Sequence, residues 1–511
     1  MKKFLEEKAA NLVAFFYFCA INQQSKFFME TAQGYELELK SHIERERAAV
    51  KLQSKVGELL YEKGIELVLF RNHLTDVTIS EILNLHEYAK KVVNKPIDVF
   101  TTSELSIEIS KMDIVPSKLD IGKLASEWLN EKEQYASKSD FLNKKLNGFS
   151  SNSSDSVEPR DVVLYGFGRI GRLAARELIK QAGKGQQLRL RAIVTRGCTD
   201  ADIIKRAALM RNDSVHGAFK GSVIEDLENK TLIINGQIVQ MIDASNPEDA
   251  DYTKYGIKNA LIIDNTGVFT NREALSRHLN AKGVSKVLLT APGKEIPNVV
   301  YGINQGDLDI ENETIYSAAS CTTNAISPIL KVVNDKYGVV KGHIETVHAY
   351  TNDQNLLDNM HKKPRRGRSA AINMVITSTG AGSAVTKVIP DLKDKLTANA
   401  VRVPTPNGSL AILSLELNNT TTVEDVNLAI REAALNGDLV NQIYYSVDPE
   451  LVSSDIIGNT CCSVYDSHAT IVSNDGKNVV LYAWYDNEFG YTKQVIRLAK
   501  YVTKVQRSIY Y

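Results

Sequence analysis

Apolar positions recur at helical spacing along much of the chain before residue 150. The first predicted helix places four of them on one face: Ala49, Leu52, Val56 and Leu59. Gly64 is positioned to end this helix. Because similar patterns follow, residues from about 40 to 150 are predicted to form a mainly α-helical module.

Local signals support two more helices in this module. Thr78 and Glu81 have the spacing of a capping box, and Pro96 marks the end of the helix that they begin. A third helix is predicted around Trp128. The polar, serine-rich residues 149–159 (FSSNSSDSVEP) are typical of a linker, after which the pattern changes to β-strands.

A glycine motif follows the first of these strands. Residues 162–165 (VVLY) form an apolar, β-prone run, and Gly166, Gly168 and Gly171 lead from it into a helical pattern. Strand, G-x-G-x-x-G and helix in this order predict a dinucleotide-binding turn, with the pyrophosphate at the helix N-terminus. The alternative is a tight strand-to-helix turn that binds no ligand.

The next strand, LRLRAIV, carries no acidic residue at its tip near Thr195. Enzymes that use NAD usually place a carboxylate there to bind the ribose hydroxyls. Arg196 stands there instead and is suited to pair with the 2′-phosphate of NADP, although a solvated arginine is an equal alternative. Residues 261–270 and 286–293 supply two further strands that end in small residues.

A cysteine and a histidine form the clearest candidate for catalysis. Cys321 precedes a helical pattern, and a helix N-terminus lowers the pKa of a thiol. His348 lies in a β-prone stretch 27 positions later, from which it can accept the thiol proton. Judged by spacing alone, a buried structural cysteine and a core histidine are the alternative.

Composition narrows the class of protein. Lysine plus arginine equals aspartate plus glutamate, at 61 each, so the overall charge favours neither nucleic acid nor an acidic membrane. Five cysteines without a C-x-x-C pair predict neither a disulfide framework nor a metal site, and favour a reducing, cytoplasmic location. The apolar run at residues 12–21 is too short for a membrane helix. A signal peptide is a poor match, and Met29 is an alternative start.

Five segments resemble one family. SAASCTTN, TVHAYTNDQ, STGAGSAV, VRVPTPNGS and WYDNEFGYT follow GFGRIGR in the order found in phosphorylating glyceraldehyde-3-phosphate dehydrogenases. The resemblance spans about residues 160–505. It implies an α/β fold, with a Rossmann dinucleotide-binding domain at 156–320, an α+β catalytic domain at 321–485 and a C-terminal helix at 486–511 that returns to the first domain. Residues 1–155 are then a helical extension and linker.

The resemblance also implies roles for single residues. Cys321 attacks the aldehyde with His348 as base, hydride passes to the nicotinamide, and inorganic phosphate releases 1,3-bisphosphoglycerate from a thioester. The residues implied to bind the substrate phosphate and the attacking phosphate are Ser320, Thr322, Thr351, Thr379, Gly380 and Arg402. Those implied to bind the cofactor are Gly166, Gly168, Arg169, Ile170, Gly171, Thr290 and Asn487, with Arg196 added from the strand tip. A glycolytic or gluconeogenic homotetramer is expected, with no nucleic acid or membrane as partner.

Departures from the family pattern leave alternatives open. The NAD-selective aspartate is absent, Asn359-Met360 replaces a Leu-Pro pair, and Ser245 replaces a cofactor-binding arginine, so we expect NADP to be accepted beside NAD. The basic stretch KKPRRGRS is predicted to lie near subunit contacts rather than to bind RNA. A related erythrose-4-phosphate dehydrogenase, or an assembly protein that uses the helical extension, are the other functional hypotheses.

Overall fold

The computed structural model describes residues 32–150, 158–180 and 183–511. The apolar run at 12–21, Met29 and most of the serine-rich linker lie outside the described residues. The chain forms two compact units. Among the residues that are described, no helix is long and apolar enough to cross a membrane.

Within the described residues, the first unit contains residues 32–59, Leu67–Asp113 and Asp120–Gly148. Its helices are α1 Ala32–Glu58, α2 Ile79–Lys91, α3 Val99–Lys111, α4 Ile121–Glu131 and α5 Lys138–Lys145. A short hairpin, β1 Glu66–Leu69 and β2 Asn72–His73, accompanies them.

The predicted helices of the extension are confirmed. α1 continues as a π-helical turn over Leu59–Lys63 and ends at Gly64, whose φ of 70° is a left-handed conformation that favours glycine. Thr78 and Glu81 form the predicted capping box at the start of α2. The hairpin and the helices α3 and α5 were not predicted, because their short segments lack a clear apolar period.

The second unit contains Phe149–Tyr511 together with two short segments of the extension, Leu60–Glu66 and Ile114–Leu119. Residues 117–119 of β3 (Ser117–Asp120) pair in parallel with β22 (Ser508–Tyr510) at the end of the chain. Glu66 lies 3.4 Å from Lys118 and 3.8 Å from Arg507. These segments are therefore built into the unit that carries the predicted catalytic residues.

An eight-stranded sheet in the order β13-β12-β11-β4-β5-β10-β9-β8 forms the dinucleotide-binding part. Its strands are β4 Arg160–Tyr165, β5 Leu188–Thr195, β8 Val223–Asp226, β9 Thr231–Ile234, β10 Gln237–Asp243, β11 Ala260–Asp264, β12 Val284–Leu289 and β13 Ile315–Ser317. A small separate hairpin joins β6 Asn212–Asp213 to β7 Gly217–Ala218. The helices of this part are α6 Arg169–Ile179, α7 Asp200–Arg211 and α8 Arg272–Ser276.

Both faces of this sheet are buried. Val162 and Leu164 of β4 belong to one apolar cluster, and Val163 and Tyr165 belong to a second. Because side chains alternate along a strand, the two clusters lie on opposite faces of the sheet, as in a doubly wound α/β fold. β4, β5, β10, β11, β12 and β13 pair in parallel, so their carboxyl ends share one edge.

A second, mixed sheet follows, in the order β15-β16-β14-β17-β21-β19-β18. Its strands are β14 Val339–Ala349, β15 Val375–Thr377, β16 Leu396–Val403, β17 Ser409–Leu417, β18 Ile443–Ser446, β19 Ser463–Asp466 and β21 Asn478–Tyr485, and β20 Ile471–Val472 pairs with β21. The helices are α9 Cys321–Tyr337, α10 Ala381–Val385, α11 Val423–Leu435 and α12 Phe489–Val502. α12 returns to α6, where Lys493 lies 2.7 Å from the buried Glu177.

Candidate active site

The glycine loop after β4 has the geometry of a phosphate-binding turn. Gly166 has a φ of 90°, which permits the tight turn. A Cβ on Gly171 would lie 2.5 Å from the carbonyl oxygen of Gly166, so helix and strand approach closely there. A Cβ on Gly168, the N-cap of α6, would meet no protein atom within 4 Å. Protein packing therefore does not require Gly168 to be glycine, whereas a pyrophosphate at the helix N-terminus would.

The next two residues of the loop, Arg169 and Ile170, have side chains that contact other parts of the protein. The Arg169 guanidinium is paired with Glu488 and, at 3.0 Å, with Asp213. Ile170 is half-buried against the apolar cluster of the sheet. Their side chains thus have structural partners, and their backbone N–H groups are the donors that α6 directs at its N-terminus.

Thr290 lies on the same carboxyl edge of the sheet, directly after β12. Its hydroxyl donates to the carbonyl oxygen of Asp264 over 3.0 Å, and it is half-buried. The Asp264 carboxylate accepts from Thr266 and lies 3.0 Å from the buried His278. Ligands of open parallel sheets bind at this edge, so Thr290 is placed as predicted for a residue near a bound dinucleotide.

An acidic residue does reach the tip of β5, but from the neighbouring strand. Asp243, at the end of β10, pairs with Thr195, and its carboxylate accepts from the Gly197 N–H over 2.8 Å. Both Asp243 and Arg196 are exposed. The sequence correctly predicted that β5 itself ends without an acidic residue. The Asp243 carboxylate from β10 and the Arg196 side chain nevertheless both lie at the strand tip where the cofactor ribose is expected.

Cys321 is the first residue of α9 and follows β13 at the carboxyl edge of the sheet. The Ser320 hydroxyl caps this helix by accepting from the Thr323 N–H over 3.0 Å. Ala319 has a φ of 55°, an uncommon conformation for a residue with a Cβ, and its carbonyl accepts from the Tyr491 hydroxyl over 2.9 Å. The chain therefore makes a constrained turn just before the half-buried thiol.

The structure brings Cys321 and His348 together. The Cys321 Sγ lies 3.7 Å from the His348 Nε2, and the His348 Nδ1 lies 2.7 Å from the carbonyl oxygen of Ala349. Burial, followed by the charge of Arg402, lowers the pKa of His348 to about 3. Burial raises the pKa of the Cys321 thiol, although Arg402 acts in the opposite direction. The helix N-terminus predicts a lowered thiol pKa; burial outweighs it here, so the pair rests as neutral thiol and neutral imidazole.

Arg402 is held between the histidine and the predicted phosphate-binding threonine. Its Nη1 lies 2.8 Å from the His348 Nδ1 and 3.4 Å from the Thr351 hydroxyl. Its Nε is buried and has no hydrogen-bond partner within the part of the chain that is described. A buried, unpartnered N–H of a cation suits an anionic ligand such as the phosphate of a substrate.

The remaining predicted anion ligands differ in what they offer. The Thr322 hydroxyl is buried and lies 3.0 Å from the Tyr485 hydroxyl, which leaves mainly its backbone N–H for a ligand. The Thr351 hydroxyl donates to Asp353. The Thr379 hydroxyl accepts from the N–H of Ala381 over 3.2 Å, and Gly380 is exposed.

Asn487 is connected to β14, the strand that carries His348, through Ser409, a residue that was not predicted from the sequence to belong to the site. Ser409 is fully buried, donates to the Asn487 Oδ1 over 3.0 Å, and accepts from the Ala349 N–H over 3.1 Å. Arg366 was missed as well: it pairs with Asp353 and donates to Thr377 over 3.1 Å. Its only sequence signal was the basic stretch KKPRRGRS, from which its partners are not apparent.

Comparison with known proteins identifies the family. Two family models match, the NAD binding domain of glyceraldehyde 3-phosphate dehydrogenase at residues 160–272 and its C-terminal domain at residues 320–487. Glyceraldehyde-3-phosphate dehydrogenase 1 of Bacillus subtilis (strain 168) is 42% identical over 344 residues, which are 67% of this chain and 98% of that protein. The corresponding protein of Priestia megaterium is 43% identical over 342 residues, 67% of this chain and 97% of its own.

One relative resembles the extension as well. A glyceraldehyde-3-phosphate dehydrogenase-like protein of Pseudomonas aeruginosa (strain UCBPP-PA14) is 47% identical over 447 residues, which are 87% of this chain and 96% of its own length. An alignment of that extent reaches well into the residues before Arg160. The two family models and the relatives, which align over two thirds or more of the chain, show that this chain belongs to the glyceraldehyde-3-phosphate dehydrogenase family.

Proposed function

We propose that this protein oxidises and phosphorylates glyceraldehyde 3-phosphate reversibly to 1,3-bisphosphoglycerate, as a step of glycolysis or gluconeogenesis. The observation that carries the proposal is the 3.7 Å contact between the Cys321 thiol and His348 at the carboxyl edge of a dinucleotide-binding sheet. The family is a NAD-dependent dehydrogenase family, so the reaction class rests on the chain's membership, and the substrate and intermediate are our proposal.

The residues of the chain suit each step of this reaction. In the tautomer of His348 that carries its proton on Nδ1, this N–H and the Arg402 Nη1 both donate to the Ala349 carbonyl oxygen. The Nε2 lone pair then faces Cys321 and accepts the thiol proton as Sγ attacks the aldehyde carbon. NAD, when bound, supplies the hydride acceptor. An acyl thioester then remains on Cys321. Inorganic phosphate attacks its carbonyl carbon, the C–S bond breaks, and the acyl phosphate leaves while the Cys321 thiolate takes back the proton held by His348.

Two groups of side chains are proposed to hold the phosphates. Arg402 and Thr351 flank the catalytic pair, and the unpartnered Nε of Arg402 supplies a charge-assisted donor. Ser320, Thr322, Thr379 and Gly380 add hydroxyl and backbone N–H donors. Arg366 joins this set because its pairing with Asp353 brings a second guanidinium toward Thr351.

We further propose that the enzyme accepts NADP beside NAD. The exposed Arg196 side chain is available to a 2′-phosphate, whereas the neighbouring Asp243 carboxylate favours ribose hydroxyls and repels phosphate. Arg196→Ala should lower kcat/KM for NADP about tenfold with little change for NAD. Asp243→Asn should shift the ratio the other way. A wild-type enzyme with a large preference for NAD that Arg196→Ala leaves unchanged would defeat the proposal.

The proposed organisation follows the family. Residues 156–320 bind the dinucleotide, 321–485 carry the catalytic base and anion ligands, and 486–511 form the returning helix. We propose a cytoplasmic homotetramer that uses a small-molecule aldehyde and inorganic phosphate.

A steady-state assay tests the reaction directly. The full chain is assayed with glyceraldehyde 3-phosphate and with erythrose 4-phosphate, with each cofactor, and with or without inorganic phosphate. The proposal predicts phosphate-dependent turnover that favours glyceraldehyde 3-phosphate and is lost in Cys321→Ser. Turnover that favours erythrose 4-phosphate and ignores phosphate would assign the chain to the related dehydrogenase instead.

A second function, in assembly, is favoured by one feature of the extension. The first turns of α1 expose the apolar side chains of Tyr35 (71%), Leu39 (40%) and Ile43 (39%), which recur every four residues. In this reading, Tyr35→Glu with Leu39→Glu would change the oligomer mass while kcat stays constant. An unchanged mass would leave catalysis as the proposed function alone.

A further inference from the structure

A polar cavity of about 480 Å³ opens at the opposite edge of the dinucleotide-binding sheet from the catalytic cysteine. Its walls come from the amino ends of β4 and β5, the turn before β11 and the residues after α12. Charged side chains dominate this lining: Arg160, Arg189, Arg191, Lys258, Lys504 and Asp161. Because β5 has eight residues, about 25 Å separates the two edges, and the cavity is distinct from the active site.

A buried carboxylate orients two of the arginines. Asp161 is only 6% exposed, and it lies 3.2 Å from the Arg189 Nη2 and 3.4 Å from the Arg191 Nη1. Arg189 and Arg191 are two positions apart on one strand, so both side chains extend from the same face. One carboxylate therefore positions two guanidinium groups and neutralises only one of their charges.

Two of the other cations, Lys258 and Arg160, have little compensation nearby. Lys258 is exposed, and its ammonium has no ion-pair partner among the residues described. The Arg160 Nη1 donates to the carbonyl oxygen of Asn259 over 2.6 Å, a neutral acceptor that leaves the charge in place.

The fifth cation of the lining, Lys504, is paired with Glu311, which lies outside the lining. Lys504 follows the end of α12 with a φ of 57°, and its N–H donates to the Tyr501 carbonyl over 3.0 Å. Helices usually place glycine in this left-handed position. The pairing with Glu311 accounts for the Lys504 side chain, so this lysine adds little uncompensated charge to the wall.

We propose that this cavity binds a small molecule that carries a diphosphate group. Its volume is within the range of ligand pockets, whereas its lining is charged rather than apolar, which favours a compact anion over a drug-like molecule. Five cations against the lining carboxylates of Asp161 and Glu158, and against Glu311, which pairs with Lys504, leave an excess of two positive charges, which suits a multiply charged anion such as a diphosphate. Guanidinium pairs favour planar, bidentate contacts with phosphate oxygens.

Calorimetric titration of the full-length protein with inorganic pyrophosphate tests this site. Saturating NAD and inorganic phosphate are present throughout, so that the cofactor site and the catalytic anion sites are filled. We expect one pyrophosphate per chain, bound at least tenfold more weakly by Arg189→Gln/Arg191→Gln. Lys387→Gln/Lys393→Gln removes the same charge from exposed positions outside the cavity and should bind like the wild type.

A second, milder variant keeps the test decisive if the double arginine variant misfolds. Lys258→Gln alters only an exposed side chain of the cavity and should weaken binding about threefold with kcat unchanged. Equal binding by the wild type, the double arginine variant and Lys258→Gln would overturn the proposal, as would a wild type that binds no pyrophosphate. Because binding is measured without turnover, the outcome is independent of the proposed dehydrogenase reaction.

Discussion

Arg402 and His348 lie directly opposite each other on the parallel strands β16 and β14, with 2.8 Å between Nη1 and Nδ1. A fixed cation beside an imidazole disfavours its protonation, and burial adds to this effect. His348 is therefore neutral throughout the physiological range and is available to accept a proton. The same cation lowers the pKa of the Cys321 thiol, against the effect of burial.

Removal of this charge should affect both members of the catalytic pair. In Arg402→Gln the pKa of His348 should rise and the pKa of Cys321 should rise as well, so the thiolate fraction at pH 8 falls. Iodoacetamide should then alkylate Cys321 more slowly, and its pH profile should move to higher pH. We also expect kcat/KM for the aldehyde to fall by about 10- to 100-fold, the magnitude of one lost charge-assisted hydrogen bond.

The variant Arg402→Lys separates the effect of Arg402 on the thiol pKa from its contribution to binding the aldehyde. It keeps a positive charge but lacks the planar fork, so the alkylation profile should stay near that of the wild type while KM for the aldehyde rises. An alkylation profile in Arg402→Gln that matches the wild type would show that Arg402 does not govern the thiol.

The glycine loop offers a matched pair of substitutions. Gly168→Ala should raise KM for NAD at least tenfold, with a change below about 0.5 kcal/mol in the free energy of unfolding, because the added methyl meets no protein atom. Gly171→Ala should lower stability by about 1–3 kcal/mol, since its methyl would lie 2.5 Å from the Gly166 carbonyl oxygen. Cofactor titration and urea unfolding measure the two effects. An unchanged KM in Gly168→Ala would argue against a pyrophosphate at this turn.

Ser409 is predicted to position Asn487. Ser409→Ala removes the hydroxyl that links the Asn487 amide to the Ala349 N–H, so the amide loses its fixed orientation. We expect kcat to fall about tenfold and KM for the aldehyde to change little. Ser463→Ala is the control, because the Ser463 hydroxyl is buried and lacks a hydrogen-bond partner among the described atoms. Equal losses in both variants would indicate a packing defect instead.

Glu177 should contribute stability that depends on pH. Burial raises its pKa, but Lys493 and Lys180 outweigh burial and bring the pKa to about 2. Since the folded value lies below the unfolded value of about 4.3, the contribution is complete above that pH and is lost as pH falls toward 2. Glu177→Gln should therefore lower the free energy of unfolding by about 2 kcal/mol at pH 7, and by less at pH 3.

Burial lowers the pKa of Lys493, the reverse of what pairing alone would do, so we place the effect of Glu177→Gln below the full shift of Glu177. Urea unfolding at the two pH values measures it. Glu450→Gln, at an exposed position, should cause no loss. A loss in Glu177→Gln that is the same at pH 7 and pH 3 would contradict the assigned protonation.

Residues with a local signature were predictable from the sequence. The glycine turn and Cys321 can each be recognised from the residues beside them, because a phosphate-binding turn and an activated thiol both use a helix N-terminus. His348 emerged through its distance from the cysteine and the family resemblance. These groups were found because their chemistry is encoded within a few neighbouring positions.

Partners supplied by other strands were not predictable in the same way. Asp243 reaches the tip of β5 from β10, and Ser409 reaches Asn487 across β17 and the turn after β21. Strand order and register decide such contacts, and no alternation within one segment reveals them. The Arg169 side chain shows the same limit, since its partners Asp213 and Glu488 are far away in the sequence.

The pairing of β22 with β3 has a consequence for how the protein is made. Ser117 leaves the ribosome long before Ser508, its neighbour in the sheet. At about 5–20 residues per second, one edge of β3 waits roughly 20 to 80 seconds for its partner. Throughout that interval the nascent chain carries an unpaired row of backbone donors and acceptors, so premature termination near the C-terminus should yield an aggregation-prone or rapidly degraded product rather than a slightly shorter enzyme.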